Sequence, residues 1–112
     1  MREHPDAPIF IYITASSRDE ALKIGRALVV ERLVASANVL PGARSIYRWQ
    51  GKVKEAEECV LVAKTRAGLM DRLVGRVRAL HSYTCPAIVA LPILAGNPDY
   101  LAWIAAETKE PT

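Results

Sequence analysis

The stretch NVLPGARSIYRWQG, residues 38–51, constrains this chain more than any other. It leaves Asn38, breaks at Pro41-Gly42, and resumes as an alternating aromatic strand, Ser45-Ile46-Tyr47-Arg48-Trp49. Alternation puts Ser45, Tyr47 and Trp49 on one face and Ile46, Arg48 and Gln50 on the other. Pro41-Gly42 fits a type II turn, or a bulge or kink inside one long strand. The kink is preferred, because strand character returns at once from Ala43. Gln50-Gly51 then reads as a tight turn, and Val53 to Thr65 as the returning strand. In that register Trp49 faces Lys52 and Tyr47 faces Lys54, in reach of cation–π contact. Arg48 reaches Glu55 diagonally.

The returning strand has about twelve residues, roughly 40 Å at full extension. The two main helical patterns have roughly 15 residues each and cover about 22 Å. Half of the hairpin must therefore project. A two-stranded ribbon carrying Tyr47 and Trp49 is a poor thing to leave in water, because its edges are unpaired and its aromatics bare. Pairing with further copies of the chain resolves both problems.

The remaining elements follow in order. Residues 1–7 read as a loose start. Ile9 to Thr14 is a β-rich, nearly continuous apolar run, expected as a central strand. Ser17-Arg18-Asp19-Glu20 matches a capping box, Ser17 as N-cap and Glu20 reaching back to it. Ala21, Ile24, Gly25 and Leu28 recur at helical spacing, and the helix is expected to end near Leu33. Gly25 on that inner face points to close approach of the sheet. Ala35 to Leu40 is a second apolar strand. Thr65 is expected to cap a second helix, whose Leu69, Met70, Leu73, Val74, Val77 and Leu80 recur at threes and fours. His81 closes it and Pro86 prevents continuation. Ala87 to Leu91 reads as a short buried strand stopped by Pro92. Asn97-Pro98 opens a last helix, Asp99 to Glu107, with Tyr100, Trp103 and Ile104 on one face.

The order β-α-β-β-α-β-α gives an α+β fold: a ferredoxin-like sandwich with an extra C-terminal helix and a long projecting hairpin. At 112 residues the chain suits one domain, 1–112. Its 15 Lys and Arg are interspersed with 12 Asp and Glu, so the net charge of +3 forms no basic block and argues against nucleic acid as a partner. No apolar run approaches the length of a membrane span, and the N-terminus lacks a signal-peptide core. The two cysteines, Cys59 and Cys85, form no tight pair and read as buried free thiols of a reducing cytoplasm.

With these elements in place the chain resembles the CutA divalent-cation tolerance family. The likeness is carried by RALVVERLVASANVLPGARSIYRWQGK, by LVAKT, and by LHSYTCPAIVALPILAGNPDYLAW, in that order. It implies a ferredoxin-like subunit in a tight homotrimer, connected with metal tolerance and, in some members, with copper binding. The resemblance places copper ligands at positions occupied here by Ile13, Leu80 and His81, so only His81 keeps a ligating side chain. Two family positions that usually carry acids are Thr84 and Ala87, and a usual cysteine is Ser36.

His81 and Cys85, four apart, are the metal candidates, against the plainer reading of a capping histidine and a buried thiol. A divalent metal or copper is the cofactor to which the resemblance points, and otherwise none is expected. Glu58 and Lys64 match charged positions of the family. They are expected, with Tyr83 and His81, to supply polar groups to a cleft between subunits walled by Tyr47 and Trp49. The plainer reading makes the aromatics interface packing and Lys64 an ion-pair partner. Signatures of nucleotide-binding loops and of serine hydrolases are missing, so binding or signalling is expected rather than catalysis. The alternatives are a metal-free effector-binding trimer and an enzyme with an unrecognised site.

Overall fold

The structure, a computed structural model, describes residues 4–109. The elements run β1 (Pro8–Ala15), α1 (Arg18–Val30), β2 (Ser36–Trp49), β3 (Lys52–Arg66), a 3₁₀ turn (Ala67–Leu69), α2 (Met70–Leu80), β4 (Ile88–Pro92) and α3 (Pro98–Glu107). The four strands form one antiparallel sheet in the order β2-β3-β1-β4. This is the expected α+β ferredoxin-like arrangement with an added C-terminal helix.

Strand alternation builds the core. Ile9, Ile11, Ile13 and Ala15 of β1 point to one face, beside Cys59, Leu61 and Ala63 of β3. Ala21, Ile24 and Leu28 of α1, and Leu73 and Val77 of α2, pack on them. Each fully buried Ile or Leu contributes about 1.5–3 kcal/mol of transfer free energy. Gly25 serves the close approach its position implied. A Cβ there would lie 3.3 Å from Leu61 Cδ1 and 3.4 Å from Ala37 Cβ. Arg76 forks onto both carboxylate oxygens of Glu31 at 2.9 Å each, through Nε and Nη2, and ties α2 to α1.

α3 lies on the opposite face of the sheet. Lys64, which points to that face, sits 5.6 Å from the centre of the Tyr100 ring. Tyr100 and Trp103 stack, and Ile104 is buried. Arg32 donates to the Glu107 carbonyl and Arg66 to the Thr108 carbonyl, satisfying acceptors that the last turn leaves open.

The hairpin is longer than the elements that shelter it. α1 and α2 have 13 and 11 residues, against 14 and 15 for β2 and β3. β1 accompanies β3 only as far as the Ala15–Cys59 pair, whereas β2 accompanies it to Trp49–Lys52. Beyond Cys59 the sheet is therefore a two-stranded ribbon. The molecule measures 46 × 25 × 23 Å in consequence. Ile46 and Val53 on this ribbon are 67% and 63% exposed. Pro41-Gly42 is a bulge between the Leu40 and Ala43 pairs, with Gly42 at φ 89°. Gln50 and Gly51, at φ 50° and 78°, make the two-residue turn whose left-handed backbone matches the twist of the strands.

Several expectations are corrected. Thr65 does not cap α2: it is a buried residue of β3 opposite Ile9, and the 3₁₀ turn separates it from the helix. α1 stops at Val30, because Arg32 turns left-handed at φ 60° and delivers Leu33 and Val34 to the core. Ser17 caps α1 as expected, but Glu20 reaches Ser16, not Ser17. Residues 5–7 are tied down, with the Pro5 and Ala7 carbonyls accepting from Gly68 and Ala67, while 1–3 lie outside the described residues. β4 buries one face only, since Val89 and Leu91 are exposed. Cys85 is exposed, not buried. Glu55 pairs with Arg44 at 3.6 Å instead of Arg48, and the cation–π contact is made by Lys64 on Tyr100 instead of at the ribbon tip.

Leu61→Ala removes a fully buried side chain between α1 and the sheet. It should lower stability by about 2–5 kcal/mol in denaturant titration. Val30→Ala, at an exposed position, should stay within about 0.5 kcal/mol of wild type.

Candidate functional site

α2 ends at His81, whose N–H still donates to the Val77 carbonyl while its backbone turns extended. Pro86 forbids a further turn, and the chain crosses the end of β1 before entering β4. The imidazole points into the protein and its side chain has no exposed surface. Nε2 lies 2.7 Å from the Thr14 carbonyl oxygen. A carbonyl only accepts, so Nε2 carries the proton. Nδ1 accepts from the Tyr83 N–H at 3.1 Å. The ring is thus the neutral Nε2–H tautomer, with both nitrogens engaged. The ring of Tyr83 leans on it, with centroids 4.7 Å apart.

Glu20 anchors the same loop from α1. Its Oε1 accepts from the Ser16 N–H and hydroxyl, and its Oε2 from the Ser82 N–H at 2.9 Å. Burial alone would raise its pKa, but these donors outweigh it and hold the carboxyl at about 2, against an ordinary 4.5. His81 Nδ1 is 3.7 Å from Oε1, and with the ring neutral this is adjacency and no ion pair.

Tyr83 leaves the loop toward β3, where its hydroxyl donates to Glu58 Oε2 at 2.7 Å. Burial, then the adjoining Glu58 carboxylate, push the phenol well above the usual tyrosine range. Glu58 is itself buried, at 8% exposure. It lies at the root of the ribbon, where β1 has just run out. The pair sits in a cavity of about 520 Å³ lined also by Tyr47, Trp49, Thr14 and Cys85.

The structure thus brings together Tyr47, Trp49, Glu58, Tyr83 and Cys85, with His81 immediately behind. It does not bring Lys64. That residue lies six places along β3 from Glu58, roughly 20 Å at 3.3 Å per residue. It joins a separate group, 3.5 Å from Asn38 Oδ1 and over Tyr100. The nearby Ser36 side chain, and after it the Lys64 ammonium, lower the Tyr100 phenol against burial, which raises it. Cys59, on the core side of β3, has its thiol pushed up by burial and is inert. Sequence reasoning missed Thr14, Ser45, Glu20 and Ser82 at this site. Ser45 had a signal, its place on the Tyr47 and Trp49 face of the strand, and Glu20 had one, that of a helix cap.

A family model described as CutA1 divalent ion tolerance protein matches residues 9–107. The chain belongs to this family. The divalent-cation tolerance protein CutA of Thermus thermophilus is 50% identical over 98 residues, which is 88% of this chain and 95% of that protein. The chloroplastic CutA 1 of Oryza sativa subsp. japonica is 38% identical over 102 residues, and the match spans 91% of this chain and 58% of the rice protein. The solved structure of the divalent cation tolerance protein from Thermus thermophilus superposes with a TM-score of 0.89 at 48% identity, covering 91% of this chain and 99% of that one.

The CutA name raises the question of a resident metal, and the donor set does not fit one. Among the described residues, no three His, Cys, Asp or Glu side chains come together to hold an ion. His81 has both nitrogens in use, and Glu58 already binds the Tyr83 hydroxyl. Ile13 and Leu80 occupy the other two positions to which the family resemblance assigns copper ligands.

Because Glu20 titrates lower in the folded chain, its contribution is complete above pH 4.5 and is lost as pH falls toward 2. Glu20→Gln should unfold at lower denaturant than wild type at neutral pH. Its midpoint should also fall less steeply across that acid window. Equal pH slopes for the two proteins would contradict the assignment.

Proposed function

We propose that this CutA protein, one domain over its length, acts in the divalent-cation response of the cytoplasm as a homotrimer. It binds a small ligand and performs no covalent chemistry. The observation that carries the reading is a buried carboxylate, Glu58, held by the Tyr83 hydroxyl at the back of a cavity walled by Tyr47 and Trp49. A few convergent polar groups among aromatic walls is the usual make-up of a small-molecule site.

The trimer is drawn from the family resemblance and from what the subunit leaves bare. Tyr12, Leu40, Val89 and Leu91 form an apolar stretch on the face of the sheet opposite α1 and α2, and the ribbon adds Ile46, Tyr47, Trp49 and Val53. A lone chain rarely exposes so much in one region. No helix among the described residues is long and apolar enough to cross a membrane, and the charge pattern offers nucleic acid no basic patch.

A second reading, direct capture of copper(I), is favoured by the exposed Cys85 thiol at the same cavity. Calorimetric titration with copper(I), copper(II), zinc(II) and a panel of nucleotides and small metabolites separates the two. Ligand heat lost in Glu58→Gln and kept in Cys85→Ser supports the first reading; the reverse pattern supports the second.

Trp49→Ala should weaken assembly by about 2–4 kcal/mol, the range of a buried interface tryptophan. Light scattering on dilution should show smaller species for the variant. An unchanged mass would contradict the proposed role of the ribbon in assembly.

A further inference from the structure

The cavity depends on a loop that has no regular structure of its own. Residues 82–87 form neither helix nor strand, yet they deliver Tyr83 onto Glu58 with a 2.7 Å hydrogen bond. Three contacts fix the start of this loop. The Ser82 N–H is held by Glu20 of α1. The His81 Nε2–H is held by the Thr14 carbonyl of β1. The Tyr83 N–H is held by His81 Nδ1, and its ring rests against the imidazole. The histidine takes part in two of the three.

We infer that His81 is a positioning residue for Tyr83: it spends both ring nitrogens bridging β1 to the loop, sets the phenol against Glu58, and is not a metal ligand in this chain. The assignment takes the Glu58–Tyr83 cavity as the binding site. Metal at Nε2 would need to sit about 2.0–2.1 Å from the nitrogen. The Thr14 oxygen already occupies that direction at 2.7 Å. Metal at Nδ1 would take the lone pair that the Tyr83 N–H uses, orphaning a backbone donor. Either event would release the phenol from its place. The side-chain burial of His81 closes the remaining route, since no edge of the ring faces solvent. The role resembles that of groups around other binding sites that touch no ligand themselves but hold the ones that do.

Nitrogen NMR of the wild-type imidazole tests this without any variant. One protonated and one bare ring nitrogen are expected, unchanged by saturating zinc(II). Loss of that pattern on adding zinc(II), with faster exchange of the Tyr83 amide, would make His81 a ligand and overturn the assignment. In His81→Leu the Tyr83 amide should exchange about tenfold or more faster. The Tyr83 hydroxyl proton, hydrogen-bonded to Glu58 and expected to exchange slowly in wild type, is assigned by its absence in Tyr83→Phe and should be lost in His81→Leu. His81→Asn, whose side-chain oxygen stands near the place of Nδ1, should recover much of the amide protection. If His81→Leu does not fold, His81→Asn and Glu20→Gln carry the comparison. Amide exchange unaffected by removing the imidazole would refute the positioning role. These readouts need no bound ligand, so a cavity that binds nothing in calorimetry would defeat the proposed function and leave the role of His81 standing or falling alone.

Discussion

β1 stops while β3 still needs a neighbour. At Ala15 the chain turns away into α1, and from Glu58 to Lys52 the third strand has only β2 beside it. Two-stranded ribbons are marginal in water unless something else packs on them. Everything distinctive about this chain gathers around that boundary. The buried carboxylate is the first residue beyond it, the aromatic face starts there, and the loop after α2 crosses it. Within one chain the ribbon is two-stranded and exposed. Among several chains it is the natural place for contact, and the cavity at its root then lies beside an interface.

The same boundary explains why so many hydrogen bonds converge there. Where β1 ends, the sheet leaves carbonyls and amides that no neighbouring strand takes up. The Thr14 oxygen is one, and an imidazole answers it. Just past the strand's end the Ser16 amide goes to Glu20, and so does the Ser82 amide of the loop after α2. A backbone group buried without a partner is costly, so such places attract polar side chains for structural reasons alone. A histidine found near a cavity is therefore weak evidence for metal until its ring nitrogens are accounted for. Here they are both occupied.

Much of this architecture was legible in the sequence, because alternation and helical spacing are local. The hairpin, its kink, its turn and its register against Lys52 and Lys54 all follow from short-range pattern. The failures are long-range. Thr65 looks like a helix cap until Ile9 pairs with it and draws it into the sheet. Glu20 looks like half of a capping box, and nothing nearby indicates that Ser82, far along the chain, will share its carboxylate. Lys64 shares a strand face with Glu58, yet the strand itself keeps them far apart. The partner of His81 is a main-chain carbonyl, which has no signature in any pattern of side chains. The family resemblance conveyed the order of elements and the ribbon well, and conveyed the ligand positions to a chain that retains one of the three.

The bulge at Pro41-Gly42 sets the phase of everything beyond it. On its near side Leu40 faces the same way as Val60, and on its far side Ala43 stands opposite Glu58, so β2 spends one residue more than β3 in passing. In an unbroken ladder the side chains at even positions would continue on the face that Leu40 occupies. Ile46 and Arg48 would then look toward the carboxylate, and Tyr47 and Trp49 would look away. One surplus residue, made tolerable by a glycine at positive φ, reverses that choice and decides which chemistry the ribbon shows to Glu58. The kink, more than the composition of the strand, turns Tyr47 and Trp49 to the carboxylate's side, while Arg48 still contributes to the cavity wall.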